Sequence, residues 1–129
     1  ADGGTRCASI TGAWVALRDA VNWMLEKGLI AKDPITAQVS AVAVGMVDGE
    51  VRVDLNYIED STSDTDMNVV MTSKEGVAEA FVEIQGTAEG MPFTREDLNA
   101  GLDLAKKANT ALMAAQREAL MSPYPARFK

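Results

Sequence analysis

The stretch Asp2-Gly3-Gly4-Thr5-Arg6 has the make-up of an anion cradle. Two glycines let the backbone take positive φ and bring main-chain N–H groups close to a bound oxyanion. Thr5 adds a hydroxyl donor, and Arg6 a planar fork that grips phosphate oxygens in pairs. Gly4, Thr5 and Arg6 are therefore the candidate phosphate contacts. The next segment reads as a helix, which would set the loop at the positive end of a helix dipole. Such a loop normally hangs from a strand, so residue 1 is not expected to be the natural start.

A second cluster runs from Tyr57 to Asn68 and is dense in carboxylates. Asp and Ser are turn formers, so a solvated hairpin loop is one reading. A calcium loop starting at Asp60 fails, because its sixth position would be Thr65 rather than Gly and its twelfth Met71 rather than Glu. A magnesium site fits better, since Mg²⁺ takes one or two carboxylates and shares its other positions with waters and phosphates. Asp60 and Asp66 stand at the strand junctions, where the backbone is best fixed, and Asp64 lies nearer the solvent. Together with the anion cradle, these acids point to phosphoryl chemistry. Cys7, near a helix N-terminus, is either a thiolate candidate or a small core side chain.

Composition narrows the chemistry. The 129 residues hold no histidine, which removes Ser-His and Cys-His nucleophile pairs and histidine metal ligands. The net charge of −7 opposes nucleic-acid binding by this segment alone. One cysteine cannot form an internal disulfide, so a cytoplasmic setting is the default, and no apolar run is long enough to span a membrane.

These residues must be positioned by a small set of elements. Ile10, Trp14, Leu17, Val21 and Met24 space out a helix from Ala8 that stops at Gly28, with Trp14 and Trp23 in the core. Ala13, Ala16 and Ala20 would keep that helix thin against a sheet. Strands are expected over Val39–Val47, then Val51–Tyr57 after an Asp48-Gly49 turn. Two more are expected over Met67–Met71 and Phe81–Ile84, joined by a hairpin at Lys74-Glu75-Gly76. Gly86 and Gly90 read as a strand exit with positive φ. Thr94-Arg95-Glu96-Asp97 caps a helix to about Leu120, with Leu98, Leu102, Ala105, Leu112 and Ala119 along one side. The sum is an α+β fold, helix–four strands–helix, with both helices on one face of a mixed sheet. The domain occupies residues 1–121, and residues 122–129 form an irregular tail.

Three motifs in this order are recognisable: Ala1-Asp2-Gly3-Gly4-Thr5-Arg6-Cys7-Ala8-Ser9-Ile10-Thr11-Gly12, the segment Tyr57-Ile58-Glu59-Asp60-Ser61 through Asp66-Met67-Asn68-Val69-Val70-Met71-Thr72, and Glu83-Ile84-Gln85-Gly86-Thr87-Ala88-Glu89-Gly90. With Gln116-Arg117-Glu118-Ala119-Leu120 they resemble the second half of bacterial ribonuclease PH. The resemblance implies half of a ribonuclease PH-like fold and a phosphate-dependent 3′-to-5′ exoribonuclease that trims tRNA precursors and releases nucleoside diphosphates. It implies that Gly4, Thr5 and Arg6 bind the phosphate, and that Asp60 and Asp66 are the catalytic acids and hold Mg²⁺. The implied partners are RNA, inorganic phosphate, the N-terminal half of the same protein and a hexamer built as a trimer of dimers. An isolated half would be inactive if the missing half carries the other phosphate contact. Cys7 and Ile58 depart from the family's usual Thr and acid. Two alternatives remain: a non-catalytic assembly or RNA-scaffold subunit, and a subunit of the exosome or polynucleotide phosphorylase type.

Overall fold

The computed structural model describes residues 4–47, 49–53 and 65–122. In chain order these form helix α1 (Thr5–Glu26), strands β1 (Gln38–Val47), β2 (Glu50–Val53), β3 (Thr65–Ser73) and β4 (Ala80–Ala88), and helix α2 (Arg95–Ala119). The strands make one sheet in the order β2-β1-β3-β4. Every pairing is antiparallel, which corrects the expected mixed sheet. For β1–β2 and β3–β4 the physical reason is connection length: links of a few residues make hairpins, whereas a parallel pair needs a long crossover. The α+β class and the element order agree with the expectation.

The helices lie on opposite faces of the sheet, not on one. Alternate residues of a strand point to opposite sides. Val42 and Val44 of β1, with Met67, Val69 and Met71 of β3, pack against Ala105 and Met113 of α2. Ala41 and Ala43 of β1, with Val70 of β3, pack against Cys7 and Ile10 of α1. Both faces of the two central strands are thus buried, which explains why β1 reads as a run of Val and Ala with no polar alternation.

Each end of the helices has a local cause. Gly28 at φ 72° closes α1, with Gly28 N–H donating to Leu25 O and Leu29 N–H to Met24 O, a Schellman pattern. Thr94 opens α2 through a capping box: its Oγ1 accepts from Asp97 N–H at 3.1 Å, and Thr94 N–H donates to Asp97 Oδ2 at 3.0 Å. Gly49, at φ 79°, supplies the left-handed turn between β1 and β2.

Several packing expectations change. Ala13, Ala16 and Ala20 are exposed, on the side of α1 away from the sheet. Close approach comes instead from the sheet, where Ala41, Ala43 and Gly45 lie under the helix start. Trp14 is half-buried and donates Nε1–H to Ala37 O at 3.0 Å, but Trp23 is exposed. On α2 the buried stripe continues from Ala105 through Asn109, Met113 and Gln116, and Ala119 is exposed. Gly86 sits inside β4 without positive φ, where a Cβ would lie 3.4 Å from Met67 Cγ. Asp48, the strand extension to Tyr57, Asp60 and residues 123–129 lie outside the described residues. No helix among those described is long and apolar enough to cross a membrane.

Candidate phosphate-binding site

The start of α1 lies over the β1–β3–β4 half of the sheet. Gly4 is the N-cap at φ 79°, a conformation that glycine adopts at no steric cost, and a Cβ there would meet Ala43 Cβ at 3.4 Å. The helix begins at Thr5, three residues before the expected Ala8. Thr5, Arg6 and Cys7 therefore form its first turn. Gly4 has no side chain to cap that turn, and the turn itself holds no acid, so the positive end of the helix dipole lies at Gly4. Asp2 and Gly3 lie outside the described residues.

The register of the strands lays out what sits beneath. On the α1 side, successive rows across β1, β3 and β4 are Gly45–Asp66–Thr87, Ala43–Asn68–Gln85 and Ala41–Val70–Glu83. The β1 member of each row is small, which makes room for the helix. The β3 and β4 members are polar in the two rows nearest the helix start. Arg6 reaches across to β4, where its Nη2 donates to Glu83 Oε1 at 2.9 Å and to Gln85 Oε1 at 3.1 Å. Asn68 Nδ2 donates to the same Gln85 oxygen at 3.3 Å. Asn68 Oδ1 in turn accepts from Cys7 Sγ at 3.3 Å. A register irregularity between Val70 and Met71 skips Val82 and brings Glu83 onto the row of Val70.

Cys7 is buried, which favours the core reading over a thiolate. Burial pushes its thiol up; the Arg6 charge pulls the other way, and Asp66 and Glu83 add to the rise. In the sheet register Asp66 lies in the row next to Asn68, the hydrogen-bond partner of Cys7. Asp66 is half-buried on the central strand, so its carboxylate is held by the sheet rather than by a loop. It offers the hard oxygen donor that Mg²⁺ takes, and an ion that uses one or two carboxylates needs no larger acid set. No group of three or more potential ligands occurs among the described residues.

Of the expected site residues, Gly4, Thr5, Arg6 and Asp66 gather at one end of one sheet face, and Asp60 lies outside the described residues. Glu83, Gln85 and Asn68 stand in recognisable motifs of the sequence, but their types did not mark them as site residues. The available signal was strand alternation: 66 and 68, and 83 and 85, share a face.

This is an α+β fold with an arginine and an aspartate toward the start of α1 on one sheet face. A model of the 3′ exoribonuclease family, domain 2, matches residues 37–108, more than half of the chain. The chain belongs to that family. Asp66, Asn68, Glu83 and Gln85 fall inside the matched range, and Gly4, Thr5 and Arg6 precede it. Among solved structures, the crystal structure of rice (Oryza sativa) Rrp46 is similar in fold, with a TM-score of 0.67 at 17% identity. The match covers 94% of this chain and 50% of that one, so this chain spans half the length of its structural neighbour.

Proposed function

We propose that this chain is the second half of a phosphate-dependent 3′-to-5′ exoribonuclease of the ribonuclease PH type, acting on RNA 3′ ends such as those of tRNA precursors. The observation that carries the reading is the joint placement of Arg6 and Asp66. The cationic fork sits in the first turn of α1, and the carboxylate projects from a central strand on the same sheet face. Membership of the family and the length of the solved neighbour support a partner half, and the net charge of −7 supports RNA contacts made largely by that partner.

In this reading the main-chain N–H groups at Gly4–Arg6 and the Arg6 guanidinium bind inorganic phosphate and orient one oxygen toward the terminal phosphodiester. That oxygen forms a bond to phosphorus, and the bond to the preceding nucleotide's 3′-oxygen breaks. The products are a nucleoside diphosphate and an RNA one nucleotide shorter. The departing 3′-oxygen takes a proton from solvent water; a protonated Asp66 as that donor is the alternative to its holding a metal. Asp60 and Asp66 are the residues proposed to hold Mg²⁺, which when bound offsets charge on the phosphoryl group.

The test is incubation of RNA with the protein containing both halves, with and without inorganic phosphate. Phosphate-dependent shortening with diphosphate products is expected. Asp66→Asn should cost orders of magnitude in rate with RNA affinity nearly unchanged. Nucleoside monophosphates released without phosphate would sink the reading, and RNA binding without any shortening would favour a scaffold subunit.

A further inference from the structure

We propose that Glu83 and Gln85 are positioning residues that hold the Arg6 guanidinium over the sheet, ready for phosphate; the role in catalysis rests on the phosphorolytic reading of this site. Both side chains accept from the same Arg6 nitrogen, Glu83 Oε1 at 2.9 Å and Gln85 Oε1 at 3.1 Å. They are two apart on one strand, so their spacing is fixed by the β4 backbone and not by a loop. A guanidinium has five N–H donors, so this clamp takes Nη2, which both paired edges share, and leaves Nη1 and Nε to give single bonds to an oxyanion.

A relay sets the amide of Gln85 the right way round. Cys7 Sγ–H donates to Asn68 Oδ1, and with the oxygen so engaged Asn68 Nδ2 faces Gln85 Oε1. Gln85 then shows its oxygen, not its NH₂ group, to Arg6. Four side chains from three elements thereby agree on one orientation for the arginine.

Glu83 acts on phosphate binding in two opposite ways. Its charge competes with phosphate for Arg6, and its oxygen fixes where Arg6 points. The Arg6 and Glu83 side chains are 58% and 48% exposed, so water screens the charge term heavily. Exposure weakens the hold on Arg6 as well, but Gln85 shares that hold and carries no charge to compete with phosphate. A long side chain already held has surrendered its rotamer freedom before the ligand arrives. Positioning therefore outweighs competition.

The experiment uses the protein with both halves and inorganic phosphate as the probe. Two readouts are the order of the Arg6 Nε–H group by heteronuclear NMR, and the phosphate KM against kcat of RNA shortening. Glu83→Ala and Gln85→Ala should loosen Arg6 and raise the phosphate KM several-fold, with kcat at saturating phosphate little changed. Glu83→Gln, which keeps an acceptor, should recover part of both. An Arg6 Nε–H group equally ordered in Glu83→Ala overturns the proposal, as does a phosphate KM that stays level or falls. Wild-type protein with no phosphate dependence rejects the phosphorolytic reading instead, and the NMR readout then still decides whether Glu83 and Gln85 hold Arg6.

Discussion

Cys7 shows how one residue's neighbourhood decides its chemistry. A cysteine in the first turn of a helix, next to an arginine, has the setting that elsewhere favours thiolate. Here the side chain points to the sheet, donates to Asn68, and is desolvated between Ala41, Ala43 and Val70. Burial pushes the thiol up; Arg6 opposes, and Asp66 and Glu83 reinforce the rise. A group whose folded pKa is raised stabilises the fold fully below its unfolded pKa, and that contribution disappears as pH rises through the folded value. The window thus opens at about pH 8.5, where an unfolded thiol titrates. Urea denaturation of the wild type should show a loss of stability from neutral pH to about pH 10 that is larger than in Cys7→Ala. Parallel losses in the two proteins would contradict this account. The anion loop and Asp66 were legible in the sequence because their residue types are unusual in combination. Glu83, Gln85 and Asn68 were not, since a lone acid or amide in an edge or central strand has no distinctive type. Only pairing register reveals that they share a face with Arg6.

At the scale of elements, the least expected device protects an open strand edge. Among the described residues β2 pairs with β1 from Val44 to Val47, and no described strand lies beside the stretch of β1 before it. The two helices cover it with side chains. Thr11 Oγ1 of α1 accepts from Ala41 N–H at 3.0 Å and donates to Ala41 O at 3.3 Å, copying a ladder pair. Gln116 Nε2 of α2 donates to Val39 O at 2.8 Å and to Thr11 O at 3.0 Å, tying the helices together across the edge. An unpaired buried edge is costly, and these bonds close it. Thr11→Val keeps the shape and removes the hydroxyl, so Ala41 N–H loses its partner. The expected loss in chemical denaturation is about 1–3 kcal/mol, with Thr11→Ser much nearer the wild type. A Thr11→Val protein as stable as the wild type would remove this role. Periodicity found both helices, but it cannot show which sheet face each covers or that Asn109 and Gln116 belong to a buried stripe. Asn109 is satisfied there through Ser40 Oγ, which donates to its Oδ1 at 2.7 Å, a contact 69 residues away in sequence.

At the scale of the whole molecule, two apolar surfaces stand exposed among the described residues. β4 is exposed on both faces, with Phe81, Val82 and Ile84 at 46%, 60% and 46% exposure. The outer side of α1 shows Ala8, Gly12, Ala16 and Ala20 at four-residue spacing, flanked by Leu17 at 53% and Trp23 at 44%. Small residues in that pattern let another backbone approach closely, and α2, on the other face of the sheet, is not placed to fill it. Contiguous exposed apolar surface and an unpaired strand edge are liabilities in a protein that works alone. They are ordinary in half of a larger fold, which is the proposed state of a chain spanning half of its solved neighbour. If the partner half covers these surfaces, charged residues there should spare this half and harm the assembly. Leu17→Lys with Val82→Lys should leave the melting temperature of the 129-residue chain nearly unchanged, because neither side chain is buried in it. The same pair should weaken association with the partner half in sedimentation experiments and lower phosphate-dependent RNA shortening with it. A large fall in the melting temperature of the chain alone would show that the two residues stabilise this half itself. Unchanged association would mean that the partner docks elsewhere. The charge of −7 sets a companion expectation, that this chain alone binds RNA weakly even at low salt and that the partner half restores binding. Tight, salt-sensitive RNA binding by the isolated chain would place the RNA contacts on this half and contradict that division of labour.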